Sequence, residues 1–239
     1  KKKFEITTLR KDIFTDGRHA NVKFTEIWEE DALRRDFTIN AIYSDIDGRI
    51  FDPLNGALDL KNQEIKFIGS PEERIQEDYL RILRYIRFFT QYSKKSCNKS
   101  DIHSIKKNIN GINKVANERI FEELKKILNL KKLHNLFSNE NLREVFLNIF
   151  PQFIYHERLK ILNSIAKSIR FRYDNYLILA IILVDQSNDY EYFCHKFKTS
   201  NKIKKRFKNI SNNYESLKTK KFYLKNNIKK LIYFSSKDD

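Results

Sequence analysis

The turn residues of this chain run out part-way along it. All five glycines, Gly17, Gly48, Gly56, Gly69 and Gly111, fall before residue 112, and beyond Pro71 the only proline is Pro151. Tight reversals lean on those two residue types, so the second half has few places to turn as a sheet must. Its apolar residues also recur at helical spacing, as in Ile120, Leu124, Ile127 and Leu128, or Leu159, Leu162, Ile165 and Ile169. That half reads as a run of helices. The first half is mixed. Residues Phe4 to Arg10 alternate apolar and polar and predict a strand, and Ala41–Asp45 with Ile46–Phe51 predict two strands around an Asp47-Gly48 turn. A long helix is expected to start at Ser70, which can cap it, with Pro71 at its first position and Glu73 completing a capping box. Ile75, Tyr79, Ile82, Leu83, Ile86 and Phe89 would form its one apolar stripe.

Of 239 residues, 41% are hydrophobic, enough to bury a core. The net charge of +16 is unevenly spread: residues 1–100 carry 19 basic and 17 acidic side chains, whereas 101–239 carry 28 and 14. The positive field belongs to the helical half and suits a polyanion. No apolar run approaches the roughly 20 residues of a membrane span, and no signal-peptide pattern opens the chain. A membrane partner is not expected, and the expected setting is cytoplasmic. Cys97 and Cys194 stand far apart without metal-finger spacing, and the five His are scattered; His156-Glu157-Arg158 lacks the second His of a metalloprotease helix. Neither a disulfide framework nor a zinc site is indicated.

On the expected helix, Arg74, Asp78, Arg81 and Tyr85 follow at spacings of four, three and four and would share one column. A carboxylate and a guanidinium one turn apart can be a surface ion pair. They can also read a base. The Watson–Crick edges of cytosine and adenine each set an exocyclic amine beside a ring-nitrogen acceptor, which Asp78 as acceptor and Arg81 as donor match; uracil and guanine reverse the order. Arg84 and Arg87 extend the helix with cations suited to phosphates.

Three blocks place that column in a wider pattern: Arg34-Arg35-Asp36-Phe37-Thr38-Ile39-Asn40-Ala41, then Asp52-Pro53-Leu54-Asn55-Gly56-Ala57-Leu58-Asp59-Leu60, then Glu77-Asp78-Tyr79-Leu80-Arg81-Ile82-Leu83-Arg84-Tyr85-Ile86-Arg87-Phe88. In order and spacing they resemble the class II tRNA nucleotidyltransferase and bacterial poly(A) polymerase family. Phe4–Arg10 looks like the family strand before the first block, and Glu118–Leu124 like its last motif. The resemblance covers residues 3 to about 130; beyond that it rests on helical, basic character. It implies an α+β fold: the C-terminal part of a nucleotidyltransferase palm with a mixed sheet (residues 1–69), a helical neck (70–130) and an all-helical basic body (131–239). It implies that Arg35 and Asp36 surround the nucleotide ribose, that Asp78 and Arg81 read the base, and that Arg84 and Arg87 make further nucleotide and phosphate contacts. Asn40, Asp52 and Asp59 read as residues that hold head and neck together or as turn or capping residues, and Tyr85 as packing or as a border to the base.

The implied activity is template-independent addition of CCA, or part of it, to tRNA 3′ ends from CTP and ATP, with Mg²⁺ in the complete enzyme. The family's metal-binding carboxylates lie in a Gly-Gly stretch followed by Asp-x-Asp, and neither precedes Lys1; with no Met anywhere, an upstream segment carrying them is expected. The chain alone would then bind nucleotide and RNA better than it reacts. Asp45-Ile46-Asp47 has the letters but runs into Gly48 at a turn, and Glu5 is the candidate third carboxylate. For the tRNA acceptor end, the cations Lys202, Lys204, Lys205, Arg206 and Lys208, interleaved with aromatic residues, suit backbone recognition. Two other readings stay open: a poly(A) polymerase, and a non-catalytic RNA-binding protein that keeps the fold.

Overall fold

The computed structural model describes residues 7–15, 20–159, 175–185 and 187–234. Two compact units divide the chain, residues 1–123 with 130–132, and residues 124–129 with 133–239. The residues expected for the palm fall in the first with those expected for the neck, except residues 124–129, which fall in the second.

In that unit β1 (Arg10–Thr15) pairs antiparallel with β2 (Ala20–Phe24), with a bulge between Asp12 and Phe14. β3 (Tyr43–Ser44) pairs antiparallel with β4 (Ile50–Phe51). Gly48 takes φ +83° in the turn between them, and the Asp45 carboxylate accepts the Asp47 and Arg49 amides at 2.9 and 2.8 Å. That settles the role of the Asp45-x-Asp47 letters: Asp45 folds a hairpin. The α+β class stands, but the strands among the described residues form two antiparallel ribbons where one mixed sheet was expected. Of the strand expected over Phe4–Arg10, residues 7–9 are not strand and Arg10 opens β1; Leu9 packs against the cluster of Ala32, Ala41, Tyr43 and Ile68, and Phe4, Glu5 and Ile6 lie outside the described residues.

Helix α1 (Trp28–Leu33) precedes a 3-10 turn at Thr38–Asn40, and α2 (Gly56–Lys61) follows β4. Asp52 caps α2 by accepting the Gly56 and Ala57 amides, each at 2.8 Å. A Cβ on Gly56 would stand 2.1 Å from the Thr38 carbonyl oxygen, so only glycine lets α2 lie this close to the 3-10 turn. Asp59, buried on α2, accepts from the Thr38 hydroxyl at 2.7 Å and from Lys66 at 2.5 Å.

The single long helix expected from Ser70 is two. α3 (Pro71–Glu77) starts as its sequence foretells, with Ser70 accepting the Glu73 amide, and α4 runs Arg81–Tyr92. Between them Asp78 is extended, at φ −153° and ψ 104°. No Gly or Pro marks the break. Its causes are side chains: Asp78 bends back to accept the Leu80 amide at 3.2 Å, and the Arg74 carbonyl, free of a helical partner, accepts Arg81 Nη1 at 3.0 Å. Tyr79 rests at the break on Gly111, where an added Cβ would come 2.0 Å from its ring.

α4 carries the core of this unit. Ile82, Leu83, Tyr85, Ile86, Phe88 and Phe89 are buried, and Tyr85 stacks parallel on Phe67 at 5.5 Å while Phe67 meets Phe37 at 4.8 Å. α5 (Lys99–Asn108) packs against α3, and α6 (Asn117–Leu128) follows a 3-10 turn at Ile109–Lys114.

The second unit is helical throughout its described residues. α7 (Leu133–Ser138) and α8 (Glu140–Ile149) lead into a cluster of Phe146, Phe150, Phe153, Phe193 and Phe197, whose neighbouring rings lie 4.6–6.0 Å apart. Helices at Asn175–Leu183, Asp189–Lys196, Asn201–Asn212, Tyr214–Leu217 and Lys225–Phe234 complete it. Of the helix expected around Leu159–Ile169, only Leu159 is among the described residues. No helix among them is long and apolar enough to cross a membrane.

Candidate nucleotide-binding site

The first unit contains a cleft of about 560 Å³ whose walls are almost wholly charged. Arg10 reaches it from β1, Arg34, Arg35, Asp36 and Asn40 from the segment after α1, Asp78, Leu80, Arg81 and Arg84 from the break and the start of α4, and Arg119 from α6. Six guanidiniums against two carboxylates make it a site for a polyanion that also offers donors and acceptors of its own.

Five of the six residues singled out around the nucleotide line this cleft: Arg35, Asp36, Asp78, Arg81 and Arg84. Asp36 is buried. Its Oδ1 accepts the Phe37 amide at 3.0 Å and Asn40 Nδ2 at 2.8 Å, and its Oδ2 accepts Arg84 Nε at 2.5 Å. Burial alone would raise the pKa of this carboxyl, but the bond and charge of Arg84, with Asn40 and Arg81, together outweigh it and hold the group below the usual carboxylate range. Arg84 stays firmly charged for the reciprocal reason, burial opposing and Asp36 prevailing.

Asp78 and Arg81, the pair expected to read the base, are differently engaged than a shared helical column implies. Asp78 Oδ2 accepts Arg119 Nη2 at 2.7 Å, and its Oδ1 accepts the Leu80 amide. Arg81 gives Nη1 to Glu77 at 2.6 Å and to the Arg74 carbonyl, and Nη2 to the Arg34 carbonyl at 3.3 Å. Three of five guanidinium N–H groups are thereby committed, as are two of about four lone-pair directions on Asp78. Both side chains keep capacity toward the cleft, and their anchors fix their directions. The break in the helix is what frees them: extended backbone at Asp78 turns its carboxylate toward α6.

Arg87 is absent from the cleft lining. Its Nε donates to the buried Glu123 at 2.5 Å, and its guanidinium lies 4.0 Å above the Phe88 ring, so it ties α4 to α6. Glu5 is outside the described residues, and nothing bears on it. Lys202, Lys204, Lys205 and Lys208 are exposed on the helix Asn201–Asn212 of the second unit, with Arg206 half-buried and Phe207 fully buried on the opposite stripe.

Arg10, Arg34 and Arg119 belong to the cleft without having been singled out. Behind them sits a residue that sequence reasoning passed over altogether. Asp31 is 1% exposed and accepts from Arg34, Arg35, the Tyr43 hydroxyl and the Arg10 amide. Desolvation pushes its pKa up, yet these donors bring it down to about 2. The signal was present: Asp31 precedes Arg34 by three residues and Arg35 by four, the helical spacing of an ion pair. Glu123 announces itself likewise, as a carboxylate on the apolar face of α6.

Comparison with known proteins is consistent with this cleft. Residues 1–66 match the poly A polymerase head domain, and residues 102–157 a probable RNA and SrmB-binding site of polymerase A. Human mitochondrial CCA tRNA nucleotidyltransferase 1 is 51% identical over 127 residues, covering 52% of this chain and 29% of that protein. The CCA-adding enzyme of Lactococcus lactis is 31% identical over 214 residues, 89% of this chain and 53% of the enzyme. The chain thus spans from about three-tenths to about half the length of these curated relatives. In structure it is similar to the Bacillus stearothermophilus CCA-adding enzyme in complex with CTP, with a TM-score of 0.66 at 22% identity over 96% of this chain and 56% of that one. The Thermotoga maritima CCA-adding enzyme complexed with tRNA gives a TM-score of 0.62 at 19% identity, over 86% of this chain and 53% of the other; these two likenesses establish the fold. With three motif blocks, a matching head domain and that fold, the chain belongs to the class II tRNA nucleotidyltransferase family, the CCA-adding enzymes and their poly(A) polymerase kin.

Proposed function

We propose that this chain supplies the nucleotide-selecting cleft and an RNA-binding surface of a template-independent nucleotidyltransferase that builds CCA on tRNA 3′ ends from CTP and ATP. The observation that carries the reading is the arginine-rich cleft in which Asp78 and Arg81, three residues apart in sequence, are held by separate anchors and line a common space. An amine of cytosine or adenine donates a hydrogen bond to Asp78, the ring nitrogen beside it accepts one from Arg81, and the remaining guanidiniums take the triphosphate. Asp36 offers an acceptor for a ribose hydroxyl. Relatives and structural neighbours named as CCA-adding enzymes, one with CTP and one with tRNA, support the substrates.

Nucleotidyl transfer in this family calls on Mg²⁺. Among the described residues no three His, Cys, Asp or Glu side chains gather as a metal site needs. What these residues do is bind, orient and select. The exposed lysines of Asn201–Asn212 suit the tRNA backbone, a contact that is shape-driven and salt-sensitive.

The test is product sequence. A tRNA lacking its 3′ CCA is given CTP and ATP with a protein in which this chain accompanies a metal site. Ordered gain of C, C and A supports the proposal; extension with A alone supports the poly(A) polymerase reading instead, and no extension together with tight RNA binding would leave only a non-catalytic RNA-binding role.

A further inference from the structure

Asp31 touches no space a substrate could enter, yet it holds two of the cleft's cations. Each of its oxygens accepts three bonds. Oδ1 takes Arg34 Nη2 at 2.5 Å, Arg34 Nε at 3.0 Å and the Arg10 amide at 3.2 Å; Oδ2 takes Arg35 Nε at 3.0 Å, Arg35 Nη2 at 2.9 Å and the Tyr43 hydroxyl at 2.9 Å. Both guanidiniums therefore present the same Nε–Nη2 edge to one carboxylate. Arg35 is held further by its Nη1 on the Asn40 carbonyl at 2.8 Å and by its stacking 4.8 Å over the Tyr43 ring, and Arg34 by its Nε on the Arg10 carbonyl at 2.9 Å.

Two like charges this close repel, and without an anion between them they would splay. A buried carboxylate saturated by six donors is a rigid pivot, since neither rotation nor protonation is open to it near neutral pH. From these contacts we infer that Asp31 is a positioning residue for nucleotide binding: it pre-orients Arg34 and Arg35 as one paired cation for the anionic oxygens of the incoming nucleotide. The inference rests on the nucleotide-binding reading of the cleft and assigns to a residue outside it the work of setting its geometry. Pre-organised guanidiniums lose less freedom on binding, which is where the affinity comes from.

Charge alone makes the opposite prediction, and that makes the idea testable. Asp31→Asn keeps the volume and an acceptor for Tyr43 while removing a negative charge near an anionic ligand. Long-range electrostatics would then strengthen CTP binding; a positioning role weakens it by about tenfold or more. The measurement is calorimetric titration of the full chain with CTP, and with cytidine by displacement of a fluorescent CTP analogue. The expected result is a large loss for CTP and less than a threefold loss for cytidine. In the Arg34→Ala, Arg35→Ala background, Asp31→Asn should cost no further affinity. Asp59→Asn, which removes another buried carboxylate away from the cleft, should lower thermal stability while leaving CTP affinity within twofold. Unchanged or tighter CTP binding by Asp31→Asn, equal losses for CTP and cytidine, or an undiminished loss in the background lacking Arg34 and Arg35 would each overturn the inference. Failure of the unaltered chain to bind CTP at all would instead overturn the nucleotide-binding reading beneath it.

Discussion

Replacing Gly111 with alanine should damage the candidate nucleotide site through Tyr79, the neighbour of Asp78. The new Cβ would fall 2.0 Å from Tyr79 Cε1, 2.1 Å from Cδ1 and 2.5 Å from Cζ, all far inside van der Waals contact, so the ring must move by more than 1 Å (roughly the shortfall from ordinary carbon–carbon contact). Overpacking of this kind costs about 1–3 kcal/mol. Against it stands the ordinary gain of alanine over glycine in helical backbone, up to about 1 kcal/mol. The net is a destabilisation of about 1–2 kcal/mol. Removing the ring first, with Tyr79→Ala, should reverse the sign, leaving Gly111→Ala neutral or stabilising by up to about 1 kcal/mol. Urea unfolding followed by the fluorescence of Trp28, the single tryptophan, reports on this unit. Because Tyr79 separates Asp78 from Leu80 at the helix break, Gly111→Ala should also weaken CTP binding. An equal cost of Gly111→Ala with and without the Tyr79 ring would refute the contact on which this reasoning stands.

Acid should unfold the first unit in a window set by Asp31, whose folded pKa lies at about 2. A depressed carboxylate contributes stability above its unfolded pKa of about 3.9 and loses it as pH falls through the folded value, here about 2 kcal/mol between pH 4 and 2; a pH series of urea midpoints should show that slope, and Asp31→Asn should flatten it. Arg87→Ala should cost about 3 kcal/mol of stability by breaking the ion pair with buried Glu123, with CTP affinity of the folded protein within about threefold of the original. A loss of CTP affinity greater than the loss of stability would return Arg87 to the nucleotide. Substituting Lys204, Lys205 and Lys208 with alanine should weaken tRNA binding, reduce its dependence on salt by about one unit of slope for each lysine, and leave CTP binding unchanged. A salt slope that stays put would remove those lysines from the RNA surface.

Much of the site could be read before the fold was known, for a reason particular to these residues. Arg35, Asp36, Asp78, Arg81 and Arg84 sit in blocks whose order and spacing are visible in one dimension, and their hydrogen-bonding chemistry follows from residue type alone. The start of α3 was equally legible, since Ser70, Pro71 and Glu73 act on their immediate neighbours. The break at Asp78 was not. Its determinants are a guanidinium seven residues from the carbonyl it takes, and a ring packed on a glycine 32 positions away (Tyr79 on Gly111), and neither leaves a breaker residue at the break itself. Arg87 looked like its neighbour Arg84 because both face outward on a helical wheel; only the approach of α6, which brings Glu123, separates the two. Asp31 was overlooked although its spacing to Arg34 and Arg35 is local, because a carboxylate before two arginines on a short helix reads as an ordinary surface pair until its burial is seen.

The most direct test of the central claim is equilibrium binding of the four ribonucleoside triphosphates to this chain. Asp78 as acceptor and Arg81 as donor predict that CTP and ATP bind at least about tenfold more tightly than UTP and GTP, and that Asp78→Ala or Arg81→Ala erases this preference while leaving RNA affinity nearly intact. Equal binding of all four, or parallel losses of nucleotide and RNA binding in both variants, would contradict the account.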